Sequence, residues 1–288
     1  MRAMALRHTL VMLACLVLAR PALAADEAPG QVMPDPFDGL VHNFANSFIG
    51  INFGFHVAAV AATASMSSQD VDVRVHRYFH NHPGWGRDAY PAIIVGVAGP
   101  VALFGGLHVV GRLTRDPETV GAAYAVFQAG ALTLGYVTLL KLVTGRPAPR
   151  DEYIPSVAPD DSALSREFRP GIYRGGVVAG WPSGHTALTT AMLTSLAAYY
   201  PDSVLLKVVA VAGSAGMMLA VSSFAAGGMH WSSDAVAGAL FAIPIGLSTG
   251  RGMRDAVRGA KPGPTRSAWF VGPSLRPDLT GATLGRAF

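Results

Sequence analysis

Charge and cysteine are both scarce in this chain. Asp, Glu, Lys and Arg make up 14% of its 288 residues, about half the share of an ordinary soluble domain. That scarcity excludes an acidic or polar disordered protein. The calculated pI is near 9.4, yet Lys and Arg are nowhere clustered with aromatic platforms, so no nucleic-acid partner is expected. The single cysteine, Cys15, lies in an N-terminal apolar run. If that run is removed, no thiol remains for a disulfide or a cysteine nucleophile. Strand-period alternation and internal repeats are also missing. What is abundant is apolar: 51% of residues, with a mean hydropathy of +0.36. Membrane helices or an unusually apolar helical bundle are the architectures left.

The two ends differ from the middle. Residues 1–24 have a basic start, an apolar run over 10–19 and small residues around Ala24. This is the pattern of a secretory signal peptide, with an uncleaved signal-anchor as the alternative. Residues 25–43 are acidic and proline-bearing and read as an extended linker. Residues 44–250 carry the apolar segments and form the expected helical domain. Beyond them, 251–288 begins basic, with Arg251, Arg254, Arg258 and Lys261, and continues Gly/Pro-rich. Its last stretch, 269–288, fits either short docked extended pieces or a disordered tail.

Six apolar segments organise the middle, at about 44–67, 89–111, 119–140, 183–200, 205–224 and 230–250. Several reach the roughly 20 residues a helix requires to cross a hydrocarbon core. Their Ala, Gly and Ser content permits close helix contacts in lipid. The predicted fold is therefore all-α, a polytopic membrane helical bundle. A long polar interval, 143–181, separates the third and fourth segments and reads as a lid or binding loop, or as a solvated connection.

Three sites interrupt the apolar pattern. In the first, Lys141 is followed by Gly145, Arg146 and Pro147, where a helix ends on a basic turn. Lys as a point charge and Arg as a fork of donors together can clamp a phosphate. The second is Trp181-Pro182-Ser183-Gly184-His185. Pro182 and Ser183 suit a helix start, whose free N–H groups form an anion site, and Gly184 permits close approach to the backbone. His185 then stands in the first turn, able to donate a proton. The third is His230-Trp231-Ser232-Ser233-Asp234, whose i,i+4 spacing puts His230 and Asp234 on one helical face. An Asp accepting from one ring nitrogen leaves the other ready for nucleophilic attack. Taken singly, each also fits a plain helix-end role. Helices passing back and forth bring all three to one end of the bundle, where clamp, acid and nucleophile make a phosphoryl-transfer site.

These residues resemble the type-2 phosphatidic acid phosphatase family, which is related to bacterial acid phosphatases and vanadium haloperoxidases. Its pattern is Lys, six residues and Arg-Pro; Pro-Ser-Gly-His; then Ser-Arg, five residues, His, three residues and Asp. The match spans 141–234. The resemblance implies a bundle of that family's kind and a covalent mechanism. His230 would attack phosphorus to form a phosphohistidine, Asp234 would orient it, and His185 would protonate the leaving oxygen. Lys141, Ser183 and the Gly184 N–H would hold the phosphoryl oxygens, and no metal or other cofactor is implied for hydrolysis. In two places the chain departs from the pattern. Counting from Lys141, the first arginine position is Ala148; counting back from His230, the second is Phe224. Arg146 is the nearest substitute for the first, ahead of Arg150, and the neighbours of Phe224 offer none. Three readings follow: a phosphatase with a rearranged clamp, a phosphotransferase or specialised hydrolase, or a catalytically degenerate binding or assembly protein. A vanadate-dependent oxidase is a weaker alternative.

The resemblance further implies six spans with the site on the outer face. A cleaved signal peptide followed by six crossings would instead turn the site to the cytoplasm. Arg112, Arg115 and the 251–261 basic run read as cytoplasmic and the 25–43 linker as external. These agree if 44–67, with its Asn46, Asn52 and His56, does not cross. The expected location is a bacterial-type inner membrane with the active site facing the periplasm; a soluble periplasmic bundle is the alternative. The implied partners are membrane lipids and, as substrate, a lipid phosphate or polyprenyl diphosphate.

Overall fold

The computed structural model describes residues 33–149, 162–170, 180–224, 229–259, 268–276 and 279–287. The signal segment 1–24 and much of the polar interval, 150–161 and 171–179, lie outside the described residues. In chain order the helices are α1 (Leu40–Asn46), α2 (Ile51–Ser68), α3 (Val71–Asn81), α4 (Gly84–Thr114), α5 (Pro117–Thr144), α6 (Ser162–Ser165), α7 (Gly184–Tyr199), α8 (Val204–Ser223) and α9 (Ser232–Val257). The helical body is all-α. An antiparallel hairpin follows it, β1 (Ala268–Arg276) and β2 (Leu279–Ala287), with Ala268 opposite Ala287.

Among the described residues, four helices, α4, α5, α8 and α9, are long and apolar enough to cross a membrane. The chain is membrane-embedded. Exposed side chains on the outer helices are themselves apolar: Val101 and Val109 on α4, Leu134 and Leu139 on α5, Val208 and Val211 on α8. Patches of that extent suit lipid rather than water. In contrast, α9 is largely enclosed, packed by α7, α5, α2, α8 and α1.

Small residues make that enclosure possible. Gly238, Ala242, Gly246 and Gly250 recur every fourth residue along one face of α9. A Cβ on Gly246 would stand 2.4 Å from Ala191 O, and one on Gly250 2.2 Å from Ser195 O. Ala187 and Ala191 of α7 pack with Ala242 in the same core. The two backbones thus meet along a seam of the small-xxx-small kind used between membrane helices.

The local signals at helix ends account for the boundaries. Asp116 caps α5 by accepting from Glu118 N at 3.1 Å, with Pro117 next in line. Gly145, in the left-handed region at φ 44, ends it. The polar residues of the first apolar segment also find a physical reason. The segment is broken between α1 and α2, which meet at 63° around Gly50. His56 Nε2 bonds Ser47 O at 2.9 Å and Asn52 Nδ2 donates to Asn46 O at 2.8 Å. Backbone groups freed by a break in an apolar environment require such partners.

Part of the stretch read as a linker is docked. Gln128, buried in α5, donates to Asp38 O at 2.8 Å and accepts from Asn43 Nδ2 at 2.9 Å, so α1 begins within that stretch.

Candidate active site

All three sequence motifs converge at one end of the bundle, where α5 finishes and α7 and α9 begin. The joints are hydrogen bonds accepted by backbone carbonyls. Ser183 N donates to Asp234 O at 2.9 Å, tying the start of α7 to that of α9. A Cβ on Gly238 would lie 2.5 Å from Ser183 O, so only glycine permits this approach. Lys141 Nζ donates to Gly180 O at 3.2 Å, and Thr144 Oγ1 to Trp181 O at 2.9 Å. Trp231 Nε1 donates to Pro147 O at 2.9 Å, closing the triangle between the first motif and the third.

His230 and Asp234 are buried at the entrance to α9. Asp234 Oδ2 accepts from Trp231 N at 3.1 Å and lies 3.5 Å from His230 Nδ1. That second distance exceeds an ordinary N–H···O bond, and hydrogen bonds of this kind commonly tighten when a reacting group is in place. Burial pushes the His230 imidazole below the ordinary histidine value, with the Asp234 contact opposing. The ring is thereby held neutral, with Nε2 as the nitrogen not aimed at Asp234.

Ser183 is the N-cap of α7, its Oγ accepting from Thr186 N at 3.4 Å and from Thr186 Oγ1 at 3.2 Å. Beside it Gly184 has open space where a Cβ would stand. His185 is half-buried in the first turn, with Lys141 and His230 as its electrostatic neighbours. A helix N-terminus, a lysine and two histidines around an open glycine form a setting for an oxyanion. Among the described residues, no group of three or more His, Cys, Asp or Glu is arranged to hold a metal ion.

Residues 119–257 match the PAP2 superfamily. The chain carries a PAP2-superfamily domain. Comparison with curated proteins and with solved structures gave no match. The matched PAP2 stretch runs from α5 to the end of α9 and contains Lys141, Arg146, Ser183, Gly184, His185, His230 and Asp234.

Arg146, expected at the phosphate clamp, is occupied along each edge of its guanidinium. Nη1 donates to Ser233 Oγ at 2.7 Å and to Asp234 Oδ1. Nη2 donates to Asp72 Oδ2 at 2.6 Å and Ser67 Oγ at 3.1 Å, while Nε donates to Ser165 O at 2.8 Å. Its flat faces meet Phe168 and Trp231, 5.2 and 5.7 Å from the ring centroids. The guanidinium bridges two buried carboxylates. At the two departures from the family pattern the structure has packed apolar groups: Ala148 is buried, and Phe224 sits against Tyr90 with ring centroids 4.8 Å apart.

The sequence reading missed Asp72. It is fully buried on α3, in the polar interval between the first two apolar segments. Its signal was a carboxylate flanked by Val71 and Val73, in a stretch with Val71, Val75 and Phe79 at helical spacing. The described part of the long interval also docks here: Ser165 O accepts from Arg146, and Arg166 Nε donates to Ser67 O at 3.1 Å.

Proposed function

We propose that this protein hydrolyses a lipid phosphate or polyprenyl diphosphate through a phosphohistidine on His230. The observation that carries this reading is the His230–Asp234–Arg146 chain, buried beside Lys141 and the start of α7 within a PAP2 domain. Asp234 orients the ring through Nδ1, and the Nε2 lone pair attacks phosphorus. The P–O bond to the lipid alcohol, or to the bridging oxygen of a diphosphate, breaks, and His185 gives its proton to the leaving oxygen. Water, deprotonated by His185, then cleaves the P–N bond and releases phosphate. Lys141, Ser183 and the Gly184 N–H hold the phosphoryl oxygens, where positioned donors stabilise developing charge. Arg146 acts from beneath, by holding Asp234.

The charge distribution supports an active site on the periplasmic face of a bacterial-type inner membrane. Arg258 Nε lies 3.6 Å from Glu118 Oε1, so the basic end of α9 and the start of α5 share the end opposite the site. Arg112, Arg115, Arg251 and Arg254 belong to that same end, and such a cluster favours the cytoplasmic side.

The test is a rapid quench into alkaline detergent after mixing with radiolabelled lipid phosphates and diphosphates, since a phosphoramidate survives in base. Label on wild type and none on His230→Ala is the expected result. Phosphate release without label on the protein would overturn the covalent route.

A further inference from the structure

We infer that Asp72 is a positioning residue for the Asp234–His230 pair, an inference that rests on the phosphohistidine reading above. Asp72 belongs to α3, outside the 119–257 PAP2 match, yet it makes the contacts that fix the entrance to α9. Oδ1 accepts from Ser233 N and from Ser232 Oγ, both at 2.8 Å. Oδ2 accepts from Ser233 Oγ and from Arg146 Nη2, both at 2.6 Å, with Ser67 Oγ at 3.4 Å. It therefore serves as a cap for α9 supplied by another helix, satisfying a first-turn N–H that the sequence before α9 leaves without a side-chain partner.

The second role is electrostatic. Arg146 stands between Asp72 and Asp234, with Ser233 Oγ accepting from its Nη1 and donating to Asp72. Asp72 balances the guanidinium, so the negative charge of Asp234 remains directed at His230. With a neutral residue at 72, Arg146 turns its whole charge on Asp234. The carboxylate then pulls less on the Nδ1 proton, and the imidazole becomes a weaker base and nucleophile. The groups facing His230 and its segment are Asp234 on α9, Lys141 and Arg146 from the α5 end, His185 on α7, and Asp72 and His76 on α3. Of these, Asp72 alone acts through Arg146.

The experiment compares Asp72→Asn with wild type in detergent micelles. We expect kcat to fall on the order of 10-fold or more, with KM within about threefold and the acid limb of the rate profile displaced to lower pH. Asp72→Glu, which keeps the charge, is expected to restore the position of the limb. A folded Asp72→Asn with wild-type kcat and an unmoved limb overturns the inference. If Asp72→Asn does not fold, Ser233→Ala, which keeps every charge, is expected to move both quantities in the same direction by less, and wild-type values there overturn it. The titration of His230 is also followed by NMR on 15N-histidine-labelled protein, its signal assigned by loss in His230→Ala. Should wild type form no phosphohistidine, the proposed function fails. The inference is then decided by that titration: a midpoint lowered in Asp72→Asn upholds it, and an unmoved one overturns it.

Discussion

At the scale of single residues, burial decides what each charge does. Arg146 is a basic residue near the proposed phosphate site by position, but its donors point at Asp72, Asp234 and Ser165. Arg146→Ala leaves two carboxylates buried without their partner, a change of about 3–5 kcal/mol. Melting in detergent is therefore expected to fall steeply, and activity with it; a variant that keeps its melting point while losing only substrate affinity would return Arg146 to the clamp. His230→Ala removes the proposed nucleophile without leaving a buried charge. It is expected to stay folded, with phosphate release at least 100-fold lower, as measured by inorganic phosphate. The pH profile follows from the burial of His230. Attack requires the neutral ring, whose pKa is held below 6.5 by desolvation. Activity is then retained as pH falls below 6.5 and lost only on passing the lowered value. An acid limb of kcat/KM at or above the ordinary value would count against His230 as the base that must be free.

At the scale of elements, the α7–α9 seam sets the geometry of the site. Ser183 and Asp234 meet at one end of this seam, so a shift along it moves both motifs. Gly246 lies two turns and more from Gly238 on the same face, with Thr194 Oγ1 and Ala191 O pressed against it. Gly246→Val forces the helices apart, and overpacking of this kind costs about 1–3 kcal/mol. We expect a lower melting temperature and reduced activity, whereas Val211→Leu, on the outward face of α8, changes neither. Equal melting for the two variants would show that the seam tolerates separation. The broken α1–α2 segment illustrates the converse. Its Asn52 and His56 look misplaced in an apolar run, until the carbonyls at the bend are seen to require donors.

At the scale of the whole molecule, Arg112, Arg115, Arg251, Arg254 and Arg258 lie at the end of the bundle opposite the candidate site. Arg169, beside the site's loop, is largely exposed, as is Thr114 at the other end. In a Cys15→Ser background, Arg169→Cys is expected to react with a membrane-impermeant maleimide in spheroplasts, and Thr114→Cys only after lysis. Labels with the opposite preference would turn the active site to the cytoplasm.

The sequence by itself determined the long apolar helices and singled out the candidate reacting groups. Apolar runs of membrane length, a Pro-Ser-Gly-His start and the His230–Asp234 spacing are local properties, written within one or two turns of chain. Gly145, Pro147 and Ser183 likewise marked helix ends through their own backbone preferences. Only the tertiary structure decided what those groups touch. Asp72 and Arg146 are 74 residues apart, so no spacing rule relates them, and α3 carries no apolar run of membrane length. The partner of a buried charge is chosen by which helices meet. Here the close approach permitted by Gly238, Gly246 and Gly250 seats α9 against α7, and Arg146, expected at the clamp, bridges Asp234 and Asp72.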